Sequence, residues 1–339
     1  MVRLLPLLLL AALPAAAETI TVTRLVVADH AAPTVIVLDA AGAPLLRLRA
    51  GEPVRLYDGS HRGQIALRET GAGRFTLLET GLRLDGHGDH GDLHVAAPRH
   101  LPVELRGPRP SYSVGADGFL AAFFDGDGAA LLVEAGREGE APRRVATPHP
   151  HHGVAVPFVA EAGPRVAVSE ARAAGERPSA VSLRDLNGAE LVRRDDCPNL
   201  HGEGRTGPTV AFGCADGVLT LDARSGAFRK IPNPDGAGTR MVRNLEGGED
   251  WRLLLADFGP DAMAVLDPEA GTMRVVRLPA RRLHFALDPA RAETGYAITE
   301  DGVLHAFSTL DGTPRAQVQA TGRYSLEGGA AVPRPRLSA

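Results

Sequence analysis

Cysteine, an excess of positive charge and long apolar runs are all lacking or scarce in this sequence, and each shortage excludes something. The only apolar stretch of note is N-terminal: Met1 and Arg3, then the run from Leu4 to Leu10, then Ala15–Ala17. It is too short for a membrane span, which needs about 20 apolar residues. A charged start, a short apolar core and small residues at its end instead describe a secretory signal peptide, residues 1–17, cut after Ala17. The expected mature chain is residues 18–339, exported to a bacterial periplasm without membrane insertion. A formal charge of −4 leaves no basic footprint, so nucleic acid is not an expected partner.

Cys197 and Cys214 are the only cysteines. In an oxidising compartment the first reading is one disulfide, and thiolate ligation of zinc is the alternative. Also missing are a Gly-x-Ser-x-Gly elbow and a glycine loop followed by Lys and Ser or Thr, the usual marks of acyl and phosphoryl chemistry. Phe124-Asp-Gly-Asp-Gly128 imitates only the start of a calcium loop, lacks the later Glu and reads as a β-turn. The chain is not expected to be an enzyme.

Helical periodicity is nearly absent, and 39 Gly and 26 Pro separate short apolar runs. Four segments share one template, an apolar strand, an Asp and a Gly-containing turn: 35–42, 217–226, 262–271 and 302–312. Asp222 and Asp267 are 45 residues apart, and Asp267 and Asp311 are 44. A period of this length with four short strands per unit predicts an all-β fold, a β-propeller of about seven four-stranded blades forming one domain. The template predicts two central strands joined by the Asp-Gly turn, with an outer strand such as 272–278. Innermost strands are expected to start near Val54, Ser111, His152, His201, Arg240 and Leu283. The strand 323–327 would complete an N-terminal blade that begins near Thr21. Such closure removes a free sheet edge.

Three histidines and three aspartates crowd into Asp85-Gly-His87-Gly-Asp89-His90-Gly-Asp92-Leu93-His94, donors that borderline divalent metals such as zinc prefer. Glycines let such close ligands converge. The segment is an insertion between strands of the second blade, expected to fold over the axial pocket or to capture metal and hand it inward. His94 is the candidate for a fixed ligand and His87 and His90 for mobile ones, while Asp85, Asp89 and Asp92 would ligate or orient imidazoles.

Histidine also recurs where innermost strands begin: His149, His151 and His152, then His201 with Glu203, then His284. Side chains there meet across the axis, which suits zinc held by three ligands plus water or a fourth side chain. His152 and His201 rank first, then His284, with His149 beside them; His30, His61, His100 and His305 read as structural or surface residues. Cys197 and Cys214 bracket His201, so a disulfide would pin its loop.

The pieces Leu84-Asp-Gly-His-Gly-Asp-His90, Asp125-Gly-Asp-Gly128, His149-Pro-His-His-Gly-Val-Ala-Val156, Cys197-Pro-Asn-Leu-His-Gly-Glu203 and Val210-Ala-Phe-Gly-Cys-Ala-Asp-Gly217 resemble the AztD family of periplasmic zinc metallochaperones. The resemblance implies a monomeric zinc-binding propeller that passes Zn2+ to the solute-binding protein of a zinc ABC importer. Two departures stand out. Ser111 and Ser113 occupy a strand where the family is expected to place a histidine. The chain also ends soon after Leu337, where a further blade is expected, so eight blades with a truncated last one is the alternative count. Two other functions compete: a metal-dependent hydrolase or lactonase with Glu203 as base, and an interaction scaffold without metal.

Overall fold

The computed structural model describes residues 20–87, 90–248, 251–288, 291–324 and 335–337. The expected signal peptide and Asp89 lie outside these residues. Among the described residues no helix is long and apolar enough to cross a membrane.

The described chain forms one three-stranded sheet, six four-stranded sheets and a separate two-stranded hairpin. The seven larger sheets are the blades of a propeller. Blade 1 covers residues 24–49, and blades 2 to 7 cover 55–106, 110–146, 155–194, 203–232, 245–277 and 282–319. Within each of the six, strands pair antiparallel in chain order from the first outward, except that the hairpin interrupts blade 2 before its fourth strand.

Apolar residues on both faces of each blade explain the stacking. Every buried cluster lies between two successive blades: Val35, Val37 and Leu67 join blades 1 and 2, Phe75, Leu77 and Phe124 join 2 and 3. Phe158 and Phe212 lie in the cluster between blades 4 and 5. Leu255, Met263 and Phe307 do the same for 6 and 7. Six fully buried phenylalanines are among the largest enclosed side chains, each withdrawing on the order of 150 Å² or more from water, so loss of one is expected to cost about 3–5 kcal/mol.

The innermost strands are Arg55–Asp58, Pro110–Ala116, Ala155–Ala160, Glu203–Thr206, Leu245–Glu246 and Arg282–Asp288. Five begin within three residues of the expected positions. In blade 6 the strand starts at Leu245 rather than near Arg240. There Asp257 takes up the amides of Arg243 and Asn244 at 2.6 and 3.0 Å, holding this stretch in a loop. The repeated Asp-Gly turn also sits elsewhere than expected. In blades 5, 6 and 7 it joins the third strand to the outer one, not the two central strands. Its chemistry is local: Asp222 Oδ1 accepts the amides of Arg224 and Ser225, and Gly226 adopts φ 72°, the left-handed conformation that glycine tolerates. The expected closing strand, 323–327, lies mostly outside the described residues.

Strand alternation assigns the loops to two ends of the propeller. Fourth-to-first connections and second-to-third turns share one end; first-to-second and third-to-fourth connections share the other. A six-residue strand separates the ends by roughly 20 Å.

Candidate metal centre at the axial mouth

His152 precedes the innermost strand of blade 4 and His201 that of blade 5. Their ring centroids are 6.0 Å apart. His152 Nδ1–H donates to Asp125 Oδ2 at 2.7 Å, from the second-to-third turn of blade 3. His201 Nδ1–H donates to the Arg243 carbonyl at 3.1 Å, from the connection into blade 6. Both rings are therefore fixed as the tautomer whose Nε2 carries a free lone pair, the usual way of presenting imidazole to a metal. Two imidazoles on one tetrahedral zinc ion place their centroids about 5 Å apart, against the 6.0 Å seen here.

The local sequence explains the placement. Gly202 has φ +76°, and a Cβ there would lie 1.8 Å from the Arg243 oxygen, the atom that anchors His201. The Cys197–Cys214 disulfide is present, with both residues fully buried. It ties the His201 loop to the second strand of its own blade, alongside hydrogen bonds from His201 N to Gly213 O and from Gly213 N to Gly202 O. Burial holds the His201 ring below the usual imidazole pKa, assisted by the nearby His152, so it stays neutral and able to ligate at neutral pH.

Other rings extend this pair into a file that passes from blade to blade. Tyr112 lies 5.3 Å from His152, and Tyr57 lies 6.2 Å from Tyr112. Arg68 stacks over Tyr57 at 5.4 Å. The axial residue of the blade 3 strand is thus Tyr112, flanked by the serines that the sequence suggested; Ser111 Oγ instead donates to the Phe123 carbonyl at 3.3 Å. Two carboxyls belong to adjacent innermost strands. Glu203 is largely enclosed by protein, and burial pushes its pKa up to about 7. Glu246 is likewise raised to about 7 by burial, against the opposing Leu287 amide that it accepts at 3.0 Å.

The remaining candidates do not join the pair. His284 Nδ1 accepts the Leu337 amide at 3.2 Å, which fixes the opposite tautomer and puts its proton on Nε2. His149 contributes its carbonyl, accepting His151 Nδ1–H at 2.8 Å. The second nitrogen of buried His151 faces the Ser169 carbonyl at 2.9 Å, so both its nitrogens are occupied. The His/Asp segment is not a loop over the axial pocket but a β-hairpin, Leu82–His87 with His90–Val95, pairing Asp85 with Asp92 and His87 with His90. It is a third-to-fourth connection and so leaves the propeller at the end opposite His152 and His201. His94 Nε2 lies 3.1 Å from Asp85 Oδ2, both about half exposed. Asp125 is what sequence reading missed: its Asp-Gly-Asp-Gly segment is a turn, as expected, and the turn's first residue also orients a histidine.

No protein-family model matches the sequence. The zinc chaperone AztD of Citrobacter koseri is 33% identical over 337 residues, covering 97% of this chain and 80% of that protein. The crystal structure of Citrobacter koseri AztD superposes with a TM-score of 0.85 at 32% identity, over 94% of this chain and 86% of that one. The structure of apo AztD from the same organism gives 0.83 at 31% identity, over 91% and 85%. With that identity over nearly its whole length, the chain belongs to the AztD family.

Proposed function

We propose that this protein is a zinc chaperone that binds Zn2+ at the axial mouth through His152 and His201 and passes it to the solute-binding protein of a zinc ABC importer. The observation that carries the reading is the matched pair of imidazoles, each pinned at Nδ1 with Nε2 left open, in a chain similar to a zinc chaperone. Tyr112, whose ring lies 5.3 Å from that of His152, is the further donor beside the pair. Zinc enters and leaves as cargo. A mouth built from half-exposed His152 and a loop-borne His201 leaves the ion accessible to a partner's ligands, which direct transfer requires. The buried disulfide suits an oxidising compartment, and together with the N-terminal sequence it supports a periplasmic location.

The test is a zinc titration of the mature, oxidised protein against a chromophoric chelator, followed by transfer to the importer's binding protein. Loss of one equivalent of tight zinc in both His152→Ala and His201→Ala supports the reading; unchanged zinc binding in both overturns it. Glu203, with its carboxyl near neutral, also suits a general base. A hydrolytic role requires ester or lactone turnover by the zinc-loaded protein, abolished in Glu203→Gln.

A further inference from the structure

The opposite end of the propeller carries a second set of metal donors. His61 lies in the first-to-second turn of blade 2, Glu79 ends the third strand of that blade, and Glu138 lies in the third-to-fourth connection of blade 3. One ligand atom from each lies within 4.8 Å of the others, and all three side chains are partly buried. We infer that His61, Glu79 and Glu138 form a second divalent-cation site, distinct from the axial pair and built into the base of the His/Asp hairpin.

Three observations support it. First, His61 Nδ1–H donates to the Arg62 carbonyl at 2.9 Å, so Nε2 faces Glu79 Oε1 at 3.3 Å. In neutral imidazole that would set a lone pair against a carboxylate oxygen. Something positive belongs between them, either a proton or a metal ion. Second, the carboxylates are held by a support that is itself fixed. Gln64 is 1% exposed. Its Oε1 accepts the Ser60 amide and hydroxyl, each at 2.9 Å. Its Nε2 is thereby turned outward, donating to Glu79 Oε1 at 2.8 Å and Glu138 Oε1 at 3.2 Å. Carboxylates oriented by hydrogen bonds from behind are characteristic of metal centres. One imidazole and two carboxylates also make a donor set that zinc accepts while keeping a fourth position open.

Third, the cluster is coupled to the hairpin. Gly63 has φ +90°, and a Cβ there would stand 2.0 Å from the Leu82 carbonyl, where the hairpin begins. The Gly63 carbonyl accepts both the amide and the hydroxyl of Thr80, at 2.8 and 2.7 Å. A metal ion held by His61 and Glu79 therefore sits at the root of a hairpin that carries His87, His90 and His94. The site would load from, or deliver to, the hairpin's histidines without involving the axial mouth.

The experiment uses the mature, oxidised protein with His152→Ala, His201→Ala, His87→Ala, His90→Ala and His94→Ala combined, which removes the other histidine donors named above as ligands. Zinc is titrated against a chromophoric chelator near pH 7.5, with circular dichroism to confirm the fold. The expected result is one retained equivalent of zinc, weakened at least tenfold by adding Glu79→Gln with Glu138→Gln, and equally by adding His61→Ala. The single change Glu138→Gln, in the connection of the neighbouring blade, is the mild control should the double variant unfold. No zinc in the parent, or equal zinc in all its derivatives, overturns the inference and leaves a proton-bridged ion pair. Failure of the axial reading is seen separately, as equal zinc in wild type and in the His152/His201 variant.

Discussion

The two histidine-bearing ends of the propeller are built on opposite principles. At the axial mouth the imidazoles come from separate blades, and each is pinned by a distant partner: Asp125 for His152, Arg243 for His201. In the hairpin the donors are neighbours in sequence, and His94, about half exposed, pairs locally with Asp85. Dispersed, anchored ligands favour affinity because little ordering remains to be done when the ion arrives. Clustered, exposed ligands favour exchange, because each can be surrendered singly.

The sharpest way to break this contrast is to delete single ligands. His152→Ala or His201→Ala is expected to weaken zinc at least 100-fold, whereas His87→Ala with His90→Ala should change equilibrium affinity less than about threefold and act on transfer rate; competition titration and stopped-flow transfer read the two effects. Loss of the anchor rather than the ligand comes next. Replacing Cys197 and Cys214 by serine should lower unfolding free energy by about 3 kcal/mol in denaturant titrations, and weaken zinc as the His201 loop loosens. Asp125→Asn, and Asp257→Asn behind Arg243, are expected to reduce affinity roughly 10- to 100-fold without removing any ligand.

A pH prediction separates axial carboxyl from axial imidazole. The Glu246 pKa rises from 4.5 unfolded to about 7 folded, so the folded state binds the extra proton. Its contribution to stability is present in full below about pH 4.5 and is lost as pH rises through 7. One pKa unit is worth about 1.4 kcal/mol, which makes the full loss on the order of 3 kcal/mol. Glu246→Gln should flatten that slope in melts from pH 5 to 8. Zinc binding should run the other way, weakening as pH falls through the imidazole range. The smallest effect belongs to the hairpin: Asp85→Asn should cost under about 1 kcal/mol, as for other exposed ion pairs, measured by thermal unfolding in added salt.

Much of the fold was legible because a propeller repeats. The 44- and 45-residue spacings of Asp222, Asp267 and Asp311 reflect one turn recurring in blades 5 to 7, and histidines at strand entrances pointed to His152 and His201. The start of the blade 6 strand was not legible, because Asp257 and its partners hold residues 243–244 through contacts with no local periodicity. Tyr112 was hidden between two serines that drew attention to themselves. His61 read as a structural or surface residue because Glu79 is 18 residues further along the chain and Glu138 reaches it only when blades 2 and 3 stack.

Alternating apolar residues, glycine turns and histidine-rich segments specify strands, blades and donor types, because those depend on short-range sterics and on which side chains bind metal. Which donors meet depended on packing. The parity of four antiparallel strands sends the hairpin to one end and His152 with His201 to the other. His152 and His201 take their tautomers from the Asp125 carboxylate and the Arg243 carbonyl, which neighbouring blades bring to Nδ1. Those partners are tens of residues away in sequence, and only closure of the blades around a common axis brings them within hydrogen-bonding distance.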